Sequence, residues 1–365
     1  MCDLIIVSPN LNSGGAEKVA VNLANYYSST GMDIKLLLLN KKGQYFSDLE
    51  KTIEIISLDT NILDGSKSFY VIKSLRSQFN RIRPKNVLSV VRNVNFLVGY
   101  SCYGLKTNVV FREANTMHEL NYYSYLRYLY YINSYRLGYI RADKVIANSP
   151  DTKNDLVRFR ICRSKKISVI PNPVVPDNIS QLVSEDVDHP FFNNSNDVII
   201  NIGRLVEQKN QEMLIKAFAE LSKKYSNLKL LILGEGYLKQ KIDNKIHEYG
   251  LQNNVDVIPF RRNVYNYLAR SKLFVLTSKW EGFGNVIVEA LASGTPVVST
   301  NCNGGPSYII DSDKYGLLSN NESLESLVTT MEKALSKKWD KEILKEKAMS
   351  YKISDMAKKY SEHFI

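Results

Sequence analysis

A chain of 365 residues, 44% hydrophobic and 23% charged, has the length of two domains and the composition of a folded globular protein, which excludes the disordered, fibrous and disulfide-scaffold classes. Lys and Arg total 48 against 37 Asp and Glu, a formal net charge of +11. Residues 1–170 hold 24 basic and 13 acidic side chains and residues 171–365 hold 24 of each, so the first half carries the whole excess. Its expected partner is anionic: nucleic acid, a phospholipid surface or a phosphorylated substrate.

Short β-rich runs alternate with amphipathic helical stretches, the rhythm of parallel sheets covered by helices on both faces. The first nine residues have no basic n-region and too short an apolar run for a signal peptide. Residues 4–8 predict a strand, 10–15 a glycine-containing loop, 16–29 a helix and 34–39 the next strand; 87–91, 109–112 and 145–147 predict further strands. Pro171 and Pro173 close a first domain over 1–172, because proline interrupts ladders and helices alike. Residues 173–197 are polar and irregular and predict a linker. A second domain over 198–344 restarts the rhythm, with strands at 198–202, 228–233, 255–259, 273–276 and 296–299 and helices at 211–225, 238–249 and 285–293. A charged C-terminal helix of about 345–365 is expected to pack back on the first domain. There is no repeat of solenoid period and no run near the ~18–20 apolar residues that span a bilayer. Cys2, Cys102, Cys162 and Cys302 form no Cys-x-x-Cys pair, and the four histidines show no ligand spacing, so a reduced, cytoplasmic protein without a metal site is expected. The fold class is α/β with two doubly wound parallel sheets. Such sheets bind ligands at the carboxyl ends of their strands, and two of them facing a central cleft favour a small-molecule site.

Two segments of the second domain carry chemistry. Gly203-Arg204-Leu205-Val206-Glu207-Gln208-Lys209-Asn210 follows strand 198–202 and precedes a helix. A diphosphate there meets a guanidinium, an ammonium and a helix N-terminus; the alternative is a pair of solvated loop charges. The second segment, Trp280-Glu281-Gly282-Phe283-Gly284-Asn285-Val286-Ile287-Val288-Glu289, follows strand 273–276. Its glycines permit positive φ and close backbone approach to a ligand. A loop carboxylate at Glu281 can contact sugar hydroxyls, helix-start N–H groups can face phosphate, and Glu289 can accept both ribose hydroxyls, a layout that suits a nucleotide sugar. Two glutamates at this spacing also recur by chance, but Glu289 lies in an otherwise apolar helix, and a half-buried carboxylate wants a partner.

Gly203-Arg204 with Lys209, Glu281 and Glu289, and Ala292-Ser293-Gly294-Thr295-Pro296-Val297-Val298 together resemble the retaining GT-B glycosyltransferases of family 4. Gly14-Gly15-Ala16-Glu17, Ala147-Asn148-Ser149 and Ile170-Pro171-Asn172-Pro173-Val174 match the same family, so the resemblance covers nearly the whole chain. It implies two Rossmann-like domains, with the nucleotide-sugar donor held mainly by the C-terminal one. It gives Arg204 and Lys209 the task of neutralising the donor diphosphate and Glu281 that of contacting the transferred sugar, making these three the catalytic set. Gly14, Gly15, Gly203, Phe283, Gly284, Asn285, Val286 and Glu289 become the donor-binding set, with Glu289 on the ribose. It further implies front-face transfer with retention, no cofactor and no divalent metal. Asp311-Ser312-Asp313 is similar to the metal-binding motif of the other glycosyltransferase fold, but stands late in the chain in a polar turn. Three positions depart from the family pattern. Where many members carry a histidine just after the fourth strand, this chain reads Phe111-Arg112-Glu113-Ala114-Asn115-Thr116-Met117-His118. Some relatives look similar, with Arg-Glu-x-Asn there, which makes Arg112, Glu113 and Asn115 candidate sugar or acceptor contacts; His118, which arrives late, is a candidate for the histidine's role or a plain surface residue. Arg261 replaces a frequent glycine near the base, and Tyr308 replaces a usual glutamate, so the sugar is not legible from the motif.

The basic excess concentrates in two stretches. Residues 67–85 hold Lys67, Lys73, Arg76, Arg81, Arg83 and Lys85 among Phe69, Tyr70 and Ile72. Residues 122–141 hold eight tyrosines with Arg127, Arg136 and Arg141. Basic helices bearing aromatics suit an anionic membrane surface and a polyprenyl-diphosphate-linked acceptor; a solvated basic face over a tyrosine-rich core is the alternative. The expected function is transfer of a hexose or N-acetylhexosamine from a nucleotide-diphosphate sugar to a lipid-linked or saccharide acceptor in surface-polysaccharide assembly, at the inner face of the membrane. A non-catalytic nucleotide-sugar-binding protein is the rival on the same fold. A basic nucleic-acid-binding protein is the rival of another class; it lacks a recognisable module and leaves the paired glutamates unexplained.

Overall fold

Leu4–Ser8 is buried at all five positions, as parallel strands are when helices cover both faces of their sheet. In a computed structural model the described residues are 2–59, 68–117, 120, 124–193 and 195–365. They make two units, Met1–Val174 with Ile353–Ile365, and Val175–Lys352.

The first unit runs β1 (Leu4–Ser8), α1 (Gly15–Ser29), β2 (Ile34–Leu38), β3 (Glu54–Ser57), α2 (Ser68–Ile82), β4 (Asn86–Ser89), α3 (Arg92–Ser101), β5 (Asn108–Glu113), α4 (Tyr125–Ile140), β6 (Lys144–Ala147), α5 (Pro150–Arg158) and β7 (Ile167–Val169). The sheet order is β3-β2-β1-β4-β5-β6-β7, with every pair parallel. The order reverses between β1 and β4, the doubly wound pattern. Ser149 caps α5 by accepting the Thr152 N–H, and Pro150 takes the first helical position, where its missing N–H costs nothing. On one side α3 packs against α2 and α4. The approach of α3 to α4 depends on glycine: a Cβ on Gly99 would lie 2.2 Å from the Gly138 carbonyl oxygen.

The second unit runs α6 (Ile179–Ser184), β8 (Asp197–Ile202), α7 (Gln211–Ser222), β9 (Leu228–Leu233), α8 (Lys239–Glu248), β10 (Val255–Ile258), α9 (Tyr265–Arg270), β11 (Leu273–Leu276), α10 (Asn285–Ala292), β12 (Val297–Thr300), α11 (Pro306–Ile309), β13 (Gly316–Ser319), α12 (Leu324–Ser336) and α13 (Lys341–Met349). Its sheet is also parallel, in the order β10-β9-β8-β11-β12-β13. The polar segment expected as an irregular linker contains α6, which packs on α9. There Asn263 and Asn266 donate to the carbonyls of Leu182 (2.8 Å) and Asp186 (3.0 Å). Polar composition alone concealed this helix, because its partners lie some 80 residues away in sequence.

The expected single tail helix is two. α13 packs on α10 within the second unit, and only Ile353–Ile365, with α14 (Ile353–Ser361), belongs to the first. There the Tyr27 hydroxyl donates to the Ala357 carbonyl (2.8 Å), and Asn108 and Asn86 donate to the carbonyls of His363 (2.7 Å) and Ile365 (3.0 Å). Among the described residues, no helix is long and apolar enough to cross a membrane.

Candidate functional site

In the second unit the strand order reverses between β8 and β11, the switch point where doubly wound sheets bind ligands. The loops leaving these two strands carry the expected charges. Lys209 ends a 3-10 turn, Glu207–Lys209, and Asn210 with φ 49° turns the chain into α7. The Lys209 ammonium forms an ion pair with Glu281 Oε1, and both side chains are largely buried. The same oxygen accepts the Ser278 hydroxyl at 2.6 Å. Among the described residues Glu281 Oε2 has no hydrogen-bond partner, so one carboxylate oxygen is occupied and the other is open.

Hydrogen bonds stitch the two loops together. Thr277 Oγ1 donates to the Lys209 carbonyl (2.9 Å), Gln208 Nε2 to the Trp280 carbonyl (2.8 Å), and the Lys279 N–H to the Gln208 carbonyl (2.8 Å). From the end of β12, Thr300 Oγ1 donates to the Ser278 carbonyl (2.6 Å), and the Glu281 N–H donates to the Asn303 carbonyl (3.0 Å). Gly304, at φ 123°, lies so close that a Cβ there would stand 1.8 Å from the Glu281 carbonyl oxygen. The buried Cys302 thiol is pushed up to about 12, by burial first and then by the Glu281 charge beside it, so it stays protonated.

Arg204 is exposed, and among the described residues its guanidinium has no partner. Its backbone is fixed, since Gln211 Nε2 donates to its carbonyl (3.0 Å). Gly203 immediately precedes it after β8. Gly284, at φ 92°, is the residue from which α10 starts. Asn285 and Val286 open that helix half-buried, and Glu289 is buried within it. The Phe283 ring is buried and packs edge-on against Tyr351 at 5.6 Å, which commits its side chain to the core.

In the first unit Gly14 caps α1 and Gly15 is its first residue. Arg112 and Glu113 are not surface contacts: they belong to a buried polar network. Arg112 donates to the Val90 carbonyl (3.0 Å) and to Asn172 Oδ1 (2.6 Å). Glu113 pairs with Arg92 (Nε to Oε1, 3.0 Å) and accepts the Tyr139 hydroxyl on Oε2 (2.7 Å). Burial, with the Glu113 carboxylate adding to it, pushes the Tyr139 hydroxyl well above its ordinary range, so it stays a donor. Arg92 also holds the carbonyls of Asn115 and Thr116. The pair therefore shapes the loop after β5, on which Asn115 is half-buried. The physical reason is desolvation: charges at the end of a central strand must be paired inside the protein. His118 lies outside the described residues.

Sequence reading missed Ser278, Thr300, Gln208, Arg92 and Tyr139. The available signal was polarity at the carboxyl ends of apolar strands, as in Leu276-Thr277-Ser278 and Ser299-Thr300. Of the expected basic surface, Arg76, Arg136 and Arg141 are committed to carbonyls, those of Tyr103 (2.6 Å), Phe159 (3.0 Å) and Thr107 (2.6 Å) respectively, while Lys85 pairs with Asp3. Tyr135 and Tyr139 are core residues, whereas Phe69, Tyr70, Tyr125, Leu126, Tyr130, Leu137 and Ile140 are exposed. Lys67, Tyr122 and Tyr123 lie outside the described residues. Asp311 and Asp313 pair with Lys347 and Lys333, and among the described residues no three His, Cys, Asp or Glu side chains are grouped to hold a metal.

Residues 184–352 match the family model described as glycosyl transferases group 1, and residues 13–178 match that of glycosyltransferase family 4. The chain is 31% identical over 373 residues to an N-acetylgalactosamine-N,N'-diacetylbacillosaminyl-diphospho-undecaprenol 4-alpha-N-acetylgalactosaminyltransferase of Campylobacter jejuni, a match covering 96% of this chain and 97% of that one. It is 38% identical over 181 residues to an uncharacterized glycosyltransferase of Methanocaldococcus jannaschii, spanning 49% of this chain and 45% of that one. An Anabaena protein, HepE, solved with UDP and glucose, superposes with a TM-score of 0.80 at 19% identity over 99% of both chains, which shows the shared fold. With two Rossmann-like units of the GT-B class and a full-length relative above 30% identity, the chain belongs to the glycosyltransferases, of the group 1, family 4 type.

Proposed function

We propose that the protein transfers a sugar, with retention and without a divalent metal, from a nucleotide-diphosphate sugar to a polyprenyl-diphosphate-linked saccharide in bacterial surface-polysaccharide assembly. The observation that carries the reading is the Lys209–Glu281 pair at the β8/β11 switch point, with an exposed Arg204, unpartnered among the described residues, on the same loop as Lys209. As the glycosidic bond breaks, negative charge collects on the departing diphosphate. Fixed cations there stabilise the transition state more than the ground state. Arg204 offers a planar fork to two phosphate oxygens, and Lys209 a compact charge. The open Oε2 of Glu281 accepts a hydroxyl of the transferred sugar, and the acceptor hydroxyl passes its proton to the leaving phosphate.

UDP is favoured as the nucleotide by the ligand of the Anabaena structure. The Campylobacter relative, named for an alpha linkage onto a diphospho-undecaprenol-linked saccharide, favours N-acetylgalactosamine and that acceptor class. An alpha product from an alpha-linked nucleotide sugar is transfer with retention. The exposed apolar side chains of α2 and α4, on the half with the net positive charge, suit contact with an anionic membrane carrying that acceptor.

The test is UDP release from a panel of UDP-sugars with EDTA present, with and without a polyprenyl-diphosphate-linked acceptor. Arg204→Ala and Lys209→Ala are each expected to lower turnover by about 100-fold or more with the fold retained. Near-normal turnover in a folded double variant overturns the phosphate assignment.

A further inference from the structure

We infer that Ser278 is a positioning residue for the transfer, fixing the Glu281 carboxylate so that Oε2, not Oε1, faces the transferred sugar. The inference rests on the reading of Glu281 as the sugar-contacting carboxylate. Ser278 is fully buried, and its hydroxyl donates at 2.6 Å to a charged acceptor, the stronger class of hydrogen bond. The hydroxyl is held from behind, because its own residue's carbonyl accepts Thr300 Oγ1 at 2.6 Å from the end of β12. Its neighbour Thr277 bonds the Lys209 carbonyl at 2.9 Å. Both donors to Oε1 are thus anchored on the rigid carboxyl edge of the sheet.

The two donors are not equivalent once a donor substrate arrives. Lys209 ends in a rotatable ammonium on a flexible stem, and an incoming diphosphate competes for it. Ser278 has a short, buried side chain with no other acceptor among the described residues, so it keeps its hold on Oε1 while Lys209 turns to phosphate. Without it the carboxylate can rotate or follow Lys209, and Oε2 loses its aim. The loss falls on the chemical step rather than on diphosphate binding, since Arg204 and Lys209 remain.

The experiment measures kcat and donor KM by UDP release, using the UDP-sugar of highest turnover in the panel, together with UDP affinity by calorimetry and the melting temperature of each variant. Ser278→Ala is expected to lower kcat by about 10- to 100-fold, the range of a lost hydrogen bond to a charged group, with donor KM and UDP affinity changed by less than about threefold. Ser278→Thr, which keeps the hydroxyl, recovers most of the loss. In a Glu281→Ala background, adding Ser278→Ala lowers kcat by less than about twofold, because a residue acting through Glu281 has nothing left to position. Wild-type kcat in Ser278→Ala, or a fully additive loss in the double variant, overturns the inference while leaving Glu281 in place. Wild-type kcat in Glu281→Ala overturns the sugar-contact reading itself, and the Ser278 assignment with it.

Discussion

Replacing Glu113 separates a buried structural charge from a substrate contact. Its side chain is 0% exposed and that of its partner Arg92 is 4% exposed. Glu113→Ala removes the acceptor of the Arg92 Nε–H (3.0 Å), of the Tyr139 hydroxyl (2.7 Å) and of the Ala114 N–H (3.2 Å). It takes the Glu113 carboxylate away from a guanidinium held in the protein interior. Breaking a buried pair from one side costs about 3–5 kcal/mol. Arg92 keeps the carbonyls of Asn115 and Thr116, which places the loss nearer the lower figure. Against a domain stability of about 5–15 kcal/mol this is a large fraction. The assay is urea denaturation with two probes. Both tryptophans, Trp280 and Trp339, lie in the second unit, so their fluorescence reports that unit, while far-ultraviolet dichroism reports both. At a slope of about 1–3 kcal/mol/M, the dichroism transition of the first unit moves down by about 1–3 M urea. Glu113→Gln, which keeps the shape and loses the charge, falls between wild type and Glu113→Ala. A loss below about 1 kcal/mol, with activity nonetheless abolished, would refute the structural role and return Glu113 to the substrate-contact set.

Gly304→Ala places a Cβ where the Glu281 carbonyl oxygen now lies, at a φ of 123° that side chains avoid; turnover is expected to fall at least tenfold with donor KM also raised, and unchanged kinetics count against the close approach. Glu212, held at about 2 first by its hydrogen bond to Lys241 and then by Lys216, lies below its ordinary value of 4.5. Its contribution to stability is therefore present above pH 4.5 and disappears as the pH falls toward 2. Glu212→Gln is expected to cost less than about 1 kcal/mol at pH 6 and nothing at pH 2, read from denaturation midpoints at each pH; a difference that grows on acidification contradicts the sign. Tyr125→Ser, Leu126→Ser and Ile140→Ser together are expected to reduce co-sedimentation with vesicles containing anionic lipid at low salt without lowering the melting temperature, since all three side chains are exposed. Full recovery of the wild-type protein in the supernatant would argue against membrane contact.

Much of this molecule was legible along the chain. Strands such as Leu4–Ser8, Leu228–Leu233 and Leu273–Leu276 are short apolar runs bounded by polar loops, and local pattern suffices to find them. The edge strand Glu54–Ser57 and the helix Ile179–Ser184 carry weak local patterns and exist because of what they pair with or pack on. Lys209 and Glu281 were recognisable as loop charges after buried strands. Their partnership was not, because 72 residues separate them and only the strand order β9-β8-β11 brings the two loops together. Arg112 and Glu113 had the residue types of a site, and the fold buries both in a polar network, Glu113 paired with Arg92 and Arg112 bonded to the Val90 carbonyl and Asn172. By itself, then, the sequence determined the α/β rhythm, the family and the identity of the charged loop residues, all of which are properties of local pattern. Tertiary structure decided which oxygen of Glu281 is occupied by Ser278 and which remains open, which arginines serve carbonyls, and which tyrosines are core, because each of those depends on neighbours brought from distant parts of the chain.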